Sequence, residues 1–284
     1  MITKPILAAT LKELSSFASY PVYVTMKLDG IRCITKGGKL LSRMLKPIPN
    51  KYIQETLSSL PDGLDGELMV GNFNTTQSSV MSVNTIPYSF KYCIFDYVKD
   101  DVKKPYLERI EDLKKLNLPD RCELIIPTKV KDFQELRVLE QKAISEGFEG
   151  VILRSGGSPY KNGRSTLKEG YLIKYKRFFD SEAEIIGFEE LTSNSEIKID
   201  NLGNQKRGCK KENEIGKETL GALIVIVPAT GVIFKVASGL DDALRAEIWI
   251  NKENYLNKTI TYRYQEITPD GKPRFPTLVG IRKD

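Results

Sequence analysis

A chain of 284 residues is long enough for one large or two ordinary domains. With 40% hydrophobic and 28% charged residues it needs neither disulfides nor a structural metal to hold a core. It has no histidine, which excludes histidine-base and Ser-His-Asp catalysis, and Cys33, Cys93, Cys122 and Cys209 never take C-x-x-C zinc spacing. The net charge of +6 suits a polyanionic partner without demanding one. The chain shows no signal peptide and nothing like the roughly 20 apolar residues of a membrane helix.

In chain order, Ile6 to Phe17 carries the spacing of a short amphipathic helix. Tyr23 to Met26 reads as a strand with Lys27 just past its end, and Gly37-Gly38 is a hairpin turn signal. Pro49 to Leu60 reads as a helix, opened by a proline and closed before Pro61-Asp62-Gly63. Gly66 to Val70 and Tyr92 to Val98 are apolar strands. Pro105 to Leu116 and Asp132 to Ser145 have helical periodicity, with Gly147 as the stop. Val151 to Arg154 and Leu172 to Tyr175 are strands again. This mixture predicts an α+β fold on antiparallel sheets. After about Ser181 the pattern changes to short β runs at Glu184 to Phe188, Gly221 to Val227, Val232 to Val236 and Thr259 to Tyr264, with one helix at Asp241 to Asn251. That predicts a small β-barrel compatible with an OB-fold. The polar segment from Thr192 to Thr219 reads as a long loop, with Lys206, Arg207, Lys210 and Lys211 clustered inside it.

The chemistry centres on Lys27-Leu28-Asp29-Gly30-Ile31-Arg32. Its partners follow in order: Ser42-Arg43, Asp65-Gly66-Glu67, Phe95-Asp96, Glu149-Gly150-Val151 and Lys174-Tyr175-Lys176. Near the end stand Arg274-Phe275-Pro276 and Ile281-Arg282-Lys283-Asp284. A lysine amine is a nucleophile only when deprotonated, and its ordinary pKa is about 10.4. Neighbouring cations disfavour its charged form. Lys174 and Lys176 alternate with Tyr175 on a strand, so both point to one face, where two cations suit a phosphate. Asp29-Gly30 is a tight turn in which Gly30 is expected to tolerate positive φ. Glu67 and Glu149 border buried strands, where a carboxylate must be paired, hydrogen-bonded or metal-bound. Each feature alone has a plain alternative: a solvated strand face, an ordinary turn, a structural ion pair, a core phenylalanine. The ordered set is what favours chemistry.

That set resembles the covalent nucleotidyltransferases, and within them the ATP-dependent DNA ligases, especially the compact phage type. The resemblance implies an adenylation domain over residues 1–180 and an OB-fold domain over residues 181–284. It implies ATP and Mg²⁺ as cofactors and nicked duplex DNA as partner, with sealing of 5′-phosphate/3′-hydroxyl nicks in replication, repair or recombination. A monomer is expected, in the cytoplasm of a bacterial cell or a phage-infected host. By resemblance Lys27 is the nucleophile, with Asp29, Lys174 and Lys176 completing the catalytic set. Arg32, Arg43, Glu67, Phe95, Lys174, Lys176 and Arg282 bind the nucleotide. Phe95 stacks on adenine, Glu67 holds the ribose hydroxyl, and Glu67 and Glu149 serve the metal. Arg43, Lys206, Arg207, Lys210 and Lys211 are the expected sites of DNA binding.

The chain departs from the family at Thr25, where glutamate is common, and at its terminus, where Arg282-Lys283-Asp284 stands for the usual Arg-x-Asp-Lys. Four other readings share parts of this pattern, of which an RNA ligase would more often replace the OB module. An RNA-capping guanylyltransferase also uses K-x-D-G with an OB domain, but Arg274-Phe275-Pro276 and Leu220-Gly221-Ala222-Leu223 favour a DNA ligase. An NAD-dependent ligase places a whole domain before its lysine, and only 26 residues precede Lys27. A non-catalytic OB-fold binder would have no use for Lys27, Glu67, Glu149, Lys174 and Lys176 together.

Overall fold

The structure is a computed structural model and describes residues 2–194, 197–199, 205–207, 214–268 and 270–282. The chain separates into two compact units, one running to Lys176 and the other starting at Arg177.

In the first unit the elements are β1 (Ala9–Leu11), β2 (Val22–Met26), β3 (Ile31–Lys36), β4 (Lys39–Leu41), α1 (Lys51–Thr56), β5 (Leu64–Met69), α2 (Phe73–Val80), β6 (Lys91–Tyr97), α3 (Tyr106–Lys114), β7 (Cys122–Leu124), β8 (Thr128–Val130), α4 (Phe133–Ser145), β9 (Gly150–Arg154) and β10 (Ile173–Lys176). They build two five-stranded sheets, in the orders β1-β10-β9-β2-β8 and β4-β3-β5-β6-β7. Pairing is antiparallel except at β1–β10 and β6–β7. The first sheet buries Val22, Val24, Val151, Leu153 and Ile173 against Leu136 and Ala143 of α4. The second buries Cys33, Leu64, Leu68 and Ile94 against Tyr106, Ile110 and Leu113 of α3. Each fully buried aliphatic side chain contributes roughly 1.5–3 kcal/mol of transfer free energy. These two cores therefore fix where β2, β5, β6, β9 and β10 present their polar ends.

Local sequence explains the element ends. Gly37 and Gly38 have φ of 62° and 65°, the geometry of a two-residue hairpin between β3 and β4. Asn50 caps α1 by accepting from Ile53 N–H at 2.9 Å, and Asp132 caps α4 by accepting from Glu135 N–H at 2.9 Å. Gly147, at φ 84°, follows the end of α4.

One reading of the sequence needs correction in this unit, and one helix has no counterpart in it. Ile6 to Phe17 is not a helix: Ala9–Leu11 is a strand with a buried-exposed-buried pattern, followed by a 3₁₀ turn at Leu14–Ser16. Its apolar residues fit either period, and pairing with β10 decides for the strand. Helix α2 carries no sequence signal, because its Thr and Ser residues are weak helix formers. Asn72 caps it, and the Thr76 hydroxyl accepts from Val70 N–H at 2.8 Å, tying it to the end of β5.

The second unit comprises β11 (Phe179–Asn194), β12 (Ile197–Ile199), β13 (Gln205–Arg207), β14 (Glu214–Val227), β15 (Val232–Val236), α5 (Asp242–Ile250), α6 (Lys252–Tyr255), β16 (Thr259–Tyr264) and β17 (Thr277–Ile281). Its sheet runs β15-β14-β11-β16-β17, antiparallel throughout. A parallel bridge between Ser238 and Thr277 brings the two edges together, as an OB barrel requires. Ile185, Leu223, Val225, Val236 and Ile260 fill it, with Ile248 of α5. The segment that reads as a loop is in large part a ribbon. β11 and β14 stay paired out to Asn194 and Glu214, and β12 pairs with β13, placing Lys198 opposite Lys206. Strands of three residues are too short for an apolar alternation to stand out from the polar sequence around them.

Candidate active site

Lys27 follows β2 directly. Its backbone N–H donates to the Gly150 carbonyl at 2.9 Å, which ties the turn after β2 to the start of β9. Its ammonium pairs with the Glu149 carboxylate, and Lys176 donates to the same carboxylate at 2.6 Å. Burial pushes the Glu149 carboxyl up, but Lys27 and then Lys176 outweigh it and hold the group below the usual carboxylate range. Lys174 and Lys176 share one face of β10, as the alternation predicts. Burial, then neighbouring lysines, holds both below an ordinary lysine. Asp29 lies in the turn after Lys27, and its charge opposes the shift at Lys176.

Gly30 serves this turn in a way the sequence did not suggest. It is absent from the positive-φ residues, so conformational freedom is not what the position needs. A Cβ there would stand 2.4 Å from the Leu68 carbonyl oxygen and 2.8 Å from Glu67 Cγ. Only glycine lets the turn lie this close to β5.

Arg32 on β3 and Glu67 on β5 face each other across the ladder. Arg32 grips Asp65 with two hydrogen bonds, from Nε at 2.5 Å and Nη2 at 2.6 Å, and lies 4.7 Å over the Phe95 ring. Asp65 is fully buried and also accepts from the Tyr160 hydroxyl at 2.6 Å. Burial pushes the Glu67 carboxyl up to about 7, with Arg32 and Lys27 opposing. A raised folded pKa favours folding only while Glu67 holds its proton, so stability declines as pH rises from about 4.5 through 7. Glu67→Gln lacks this cost. In metal-free buffer its unfolding free energy should gain on that of wild type between pH 5 and pH 8, by an amount on the order of 1–3 kcal/mol. A gap independent of pH would contradict the shift.

These residues converge on a cavity of about 240 Å³. Thr25, Lys27, Arg32, Arg43, Glu67, Phe95 and Lys174 line it, as do Leu7, Ala8, Ile152, Arg154 and Arg164. Sequence reasoning missed Arg154 and Arg164. Arg164 is anchored by donating to the Ala8 carbonyl at 2.7 Å. Arg154 ends β9, buried, and pairs with Asp96, which Arg109 grips from its other side at 2.7 and 2.9 Å. A charged residue closing the apolar run Val151-Ile152-Leu153 was the available signal, since a buried charge must find a partner. Of the other expected residues, Arg282 follows β17 in the second unit and pairs with Glu182 of β11. Lys206 and Arg207 lie on β13. Lys210, Lys211, Lys283 and Asp284 lie outside the described residues.

Among the described residues no group of three His, Cys, Asp or Glu side chains forms a ready metal cage. Two carboxylates beside a cationic cavity nevertheless fit Mg²⁺, which takes few carboxylates and fills its sphere with water and phosphate oxygens.

A strand-end lysine beside such a cavity, in a chain that also carries an OB barrel, defines a nucleotidyltransferase that works on nucleic acid. The sequence matches the ATP dependent DNA ligase domain over residues 5–176 and the DNA ligase OB-like domain over residues 216–282. The chain belongs to the ATP-dependent DNA ligases, and its activity is the sealing of nicks in DNA. The DNA ligase of Haemophilus influenzae is 29% identical over 271 residues, 90% of this chain and 85% of that protein. The solved Chlorella virus DNA ligase-adenylate is 36% identical, with a TM-score of 0.59 over 100% of this chain and 99% of that one. A Lig E DNA ligase, described as binding DNA with a minimal scaffold, shares the fold at a TM-score of 0.75. It is 24% identical over 99% of this chain and 100% of that one.

Proposed function

We propose that Lys27 is the residue that becomes adenylated. The observation that carries this is the convergence of Lys27, Lys174, Arg32, Arg43 and Glu67 on one cavity. Lys27 Nζ attacks the α-phosphorus of ATP, a phosphoramidate forms, and pyrophosphate leaves. AMP then passes to the 5′-phosphate at a nick, and the 3′-hydroxyl displaces it to join the strands. Every step gathers charge on a phosphoryl group, which Lys174, lining the cavity, and Lys176, paired with Glu149, would stabilise. Mg²⁺, held through Glu67 and Glu149, would add Lewis-acid stabilisation to that charge when bound. Asp29 supplies a negative charge that acts on Lys176, Glu67 and Arg32 take the ribose, and Phe95 offers its ring to the base. Arg282 orients the leaving pyrophosphate. Adenylation is assigned to residues 1–180 and the OB-fold to residues 181–284, within a few residues of the division between the two units at Lys176. We further propose that the protein acts as a monomer in the cytoplasm, in replication, repair or recombination. Incubation with labelled ATP or GTP and Mg²⁺, then peptide mass spectrometry, tests the site. AMP on Lys27 is expected. A GMP adduct indicates capping chemistry, and an adduct on another lysine removes the assignment.

DNA binding is proposed at Arg43, which lines the cavity, and at Lys206, Arg207, Lys210 and Lys211. If those four cations meet phosphates, changing all four to alanine should weaken nick binding. The salt dependence should flatten by up to about 0.9 in log–log slope for each phosphate no longer neutralised. Lysyl-AMP formation should persist, because it needs no DNA. Affinity measured across a salt series decides this, and parallel slopes with unchanged affinity would show that the segment is no clamp.

A further inference from the structure

We infer that Tyr160 is a positioning residue for Arg32, acting through Asp65 and beside the weaker bond that Arg32 Nη2 donates to the Ile6 carbonyl at 3.4 Å. The proposal rests on Arg32 contacting the nucleotide and adds a residue that no motif of the sequence marked. Tyr160 lies in the segment between β9 and β10 and is buried at 1% exposure. Its hydroxyl donates to Asp65 Oδ2 at 2.6 Å and accepts from Ile6 N–H at 3.2 Å. Arg32 Nη2 donates to the same Oδ2, also at 2.6 Å, while Arg32 Nε takes Oδ1. The carboxylate is fully buried, so among the described residues these hydrogen-bond partners decide its rotation. Arg32 alone would satisfy a carboxylate in more than one rotamer. The Tyr160 hydroxyl, pinned by Ile6, fixes which way Oδ2 points and with it the plane of the guanidinium fork.

The phenol is suited to that task. Burial and the adjacent Asp65 charge push its ionisation well above that of an ordinary tyrosine, so it remains a donor at every working pH. Its ring is held in turn by the Arg109 guanidinium, 5.7 Å from the centroid, and its backbone N–H donates to the Val102 carbonyl at 2.7 Å. Arg32 thus lines the cavity from a carboxylate whose orientation is held by one hydroxyl. Fixing a side chain before the ligand arrives raises affinity by lowering the ordering cost of binding.

Tyr160→Phe removes the hydroxyl and keeps the ring. The expected result is a rise of about five- to tenfold in the ATP concentration that half-saturates lysyl-AMP formation, the scale of one ordinary hydrogen bond and a part of what a bond to a carboxylate is worth. The rate at saturation should stay within about twofold. Arg32→Gln should raise half-saturation at least as much, and the double variant should be no worse than Arg32→Gln alone. Thermal melts of all three separate folding from function, because a structural role lowers melting and adds in full to the Arg32 variant. If Tyr160→Phe does not fold, 3-fluorotyrosine at position 160 keeps the hydroxyl as a stronger donor and should lower half-saturation. Additive effects, or an unchanged half-saturation in Tyr160→Phe or the fluorotyrosine protein, would overturn the inference. If Arg32→Gln itself binds ATP normally, the assignment of Arg32 to the nucleotide fails first, and the role of Tyr160 with it.

Discussion

Lys27→Ala should form no lysyl-AMP, and its sealing of an ordinary 5′-phosphate nick should fall by roughly 10⁴-fold or more, the scale on which covalent enzymes lose rate with their nucleophile. Lys27→Arg should fail equally. Arginine can pair with Glu149 and preserve the fold, but a guanidinium does not give up its proton and offers no lone pair. The arginine variant therefore isolates chemistry from the ion pair with Glu149. A nick adenylated in advance bypasses the first step. Both variants should seal it, more slowly than wild type, because position 27 lines the cavity proposed to hold the reacting phosphate. Rapid-quench assays on the two kinds of nick make the comparison. Normal sealing of plain nicks by either variant would remove Lys27 from the mechanism.

The second large effect is on stability. Asp96 has 0% exposure and lies between Arg109, which grips both its oxygens at 2.7 and 2.9 Å, and Arg154. Tyr106 lies under both guanidinium groups, 5.6 Å from Arg109 and 4.6 Å from Arg154. Asp96→Asn keeps the volume but leaves two buried cations facing a neutral amide. Breaking a buried pair from one side costs about 3–5 kcal/mol. For a unit of this size that corresponds to a fall in melting temperature of about 6–20 °C. The dependence on pH has a definite sign. Burial alone would raise the Asp96 carboxyl, but Arg154 and then Arg109 hold it below the usual range. Its contribution is present above an unfolded carboxyl's pKa near 3.9 and is lost as pH falls through the lower folded value. The gap between wild type and Asp96→Asn should therefore be full at pH 7 and close below about pH 4. A gap that stays open in acid would show that packing, not the ion pairs, carries the effect.

Much of the molecule could be read before folding. The strands around Lys27, Glu67, Glu149 and Lys174 are apolar runs ended by charge, and runs of that kind show where a core stops and a site starts. Lys174 and Lys176 share a face because a strand repeats every two residues, which needs no tertiary knowledge. What escaped depended on neighbours far apart in sequence. Ile6 to Phe17 became a strand because β10 was there to receive it. Gly30 looked like a flexible turn, and its reason was the backbone of Leu68 above it. Tyr160 and Asp65 carry nothing in their own neighbourhoods that announces the other. The ribbon of β12 and β13 was hidden because a polar strand and a polar loop have the same composition.

The pairing of β1 with β10 also sets the order in which the protein can be made. Ala9 lies beside Ile173, so the first strand of the unit has no sheet to join until the last has been synthesised. Leu7 and Ala8, just before that strand, form part of the cavity wall. On the ribosome the second sheet can assemble early, since β3, β4, β5 and β6 pair mainly with near neighbours, whereas the wall waits for residue 176 to emerge. A nascent chain stalled before β10 should carry a folded second sheet and bind no ATP. The cavity is thus the last part of the unit to be completed, and on the assignment proposed for Lys27 a truncated product should store no AMP on that lysine.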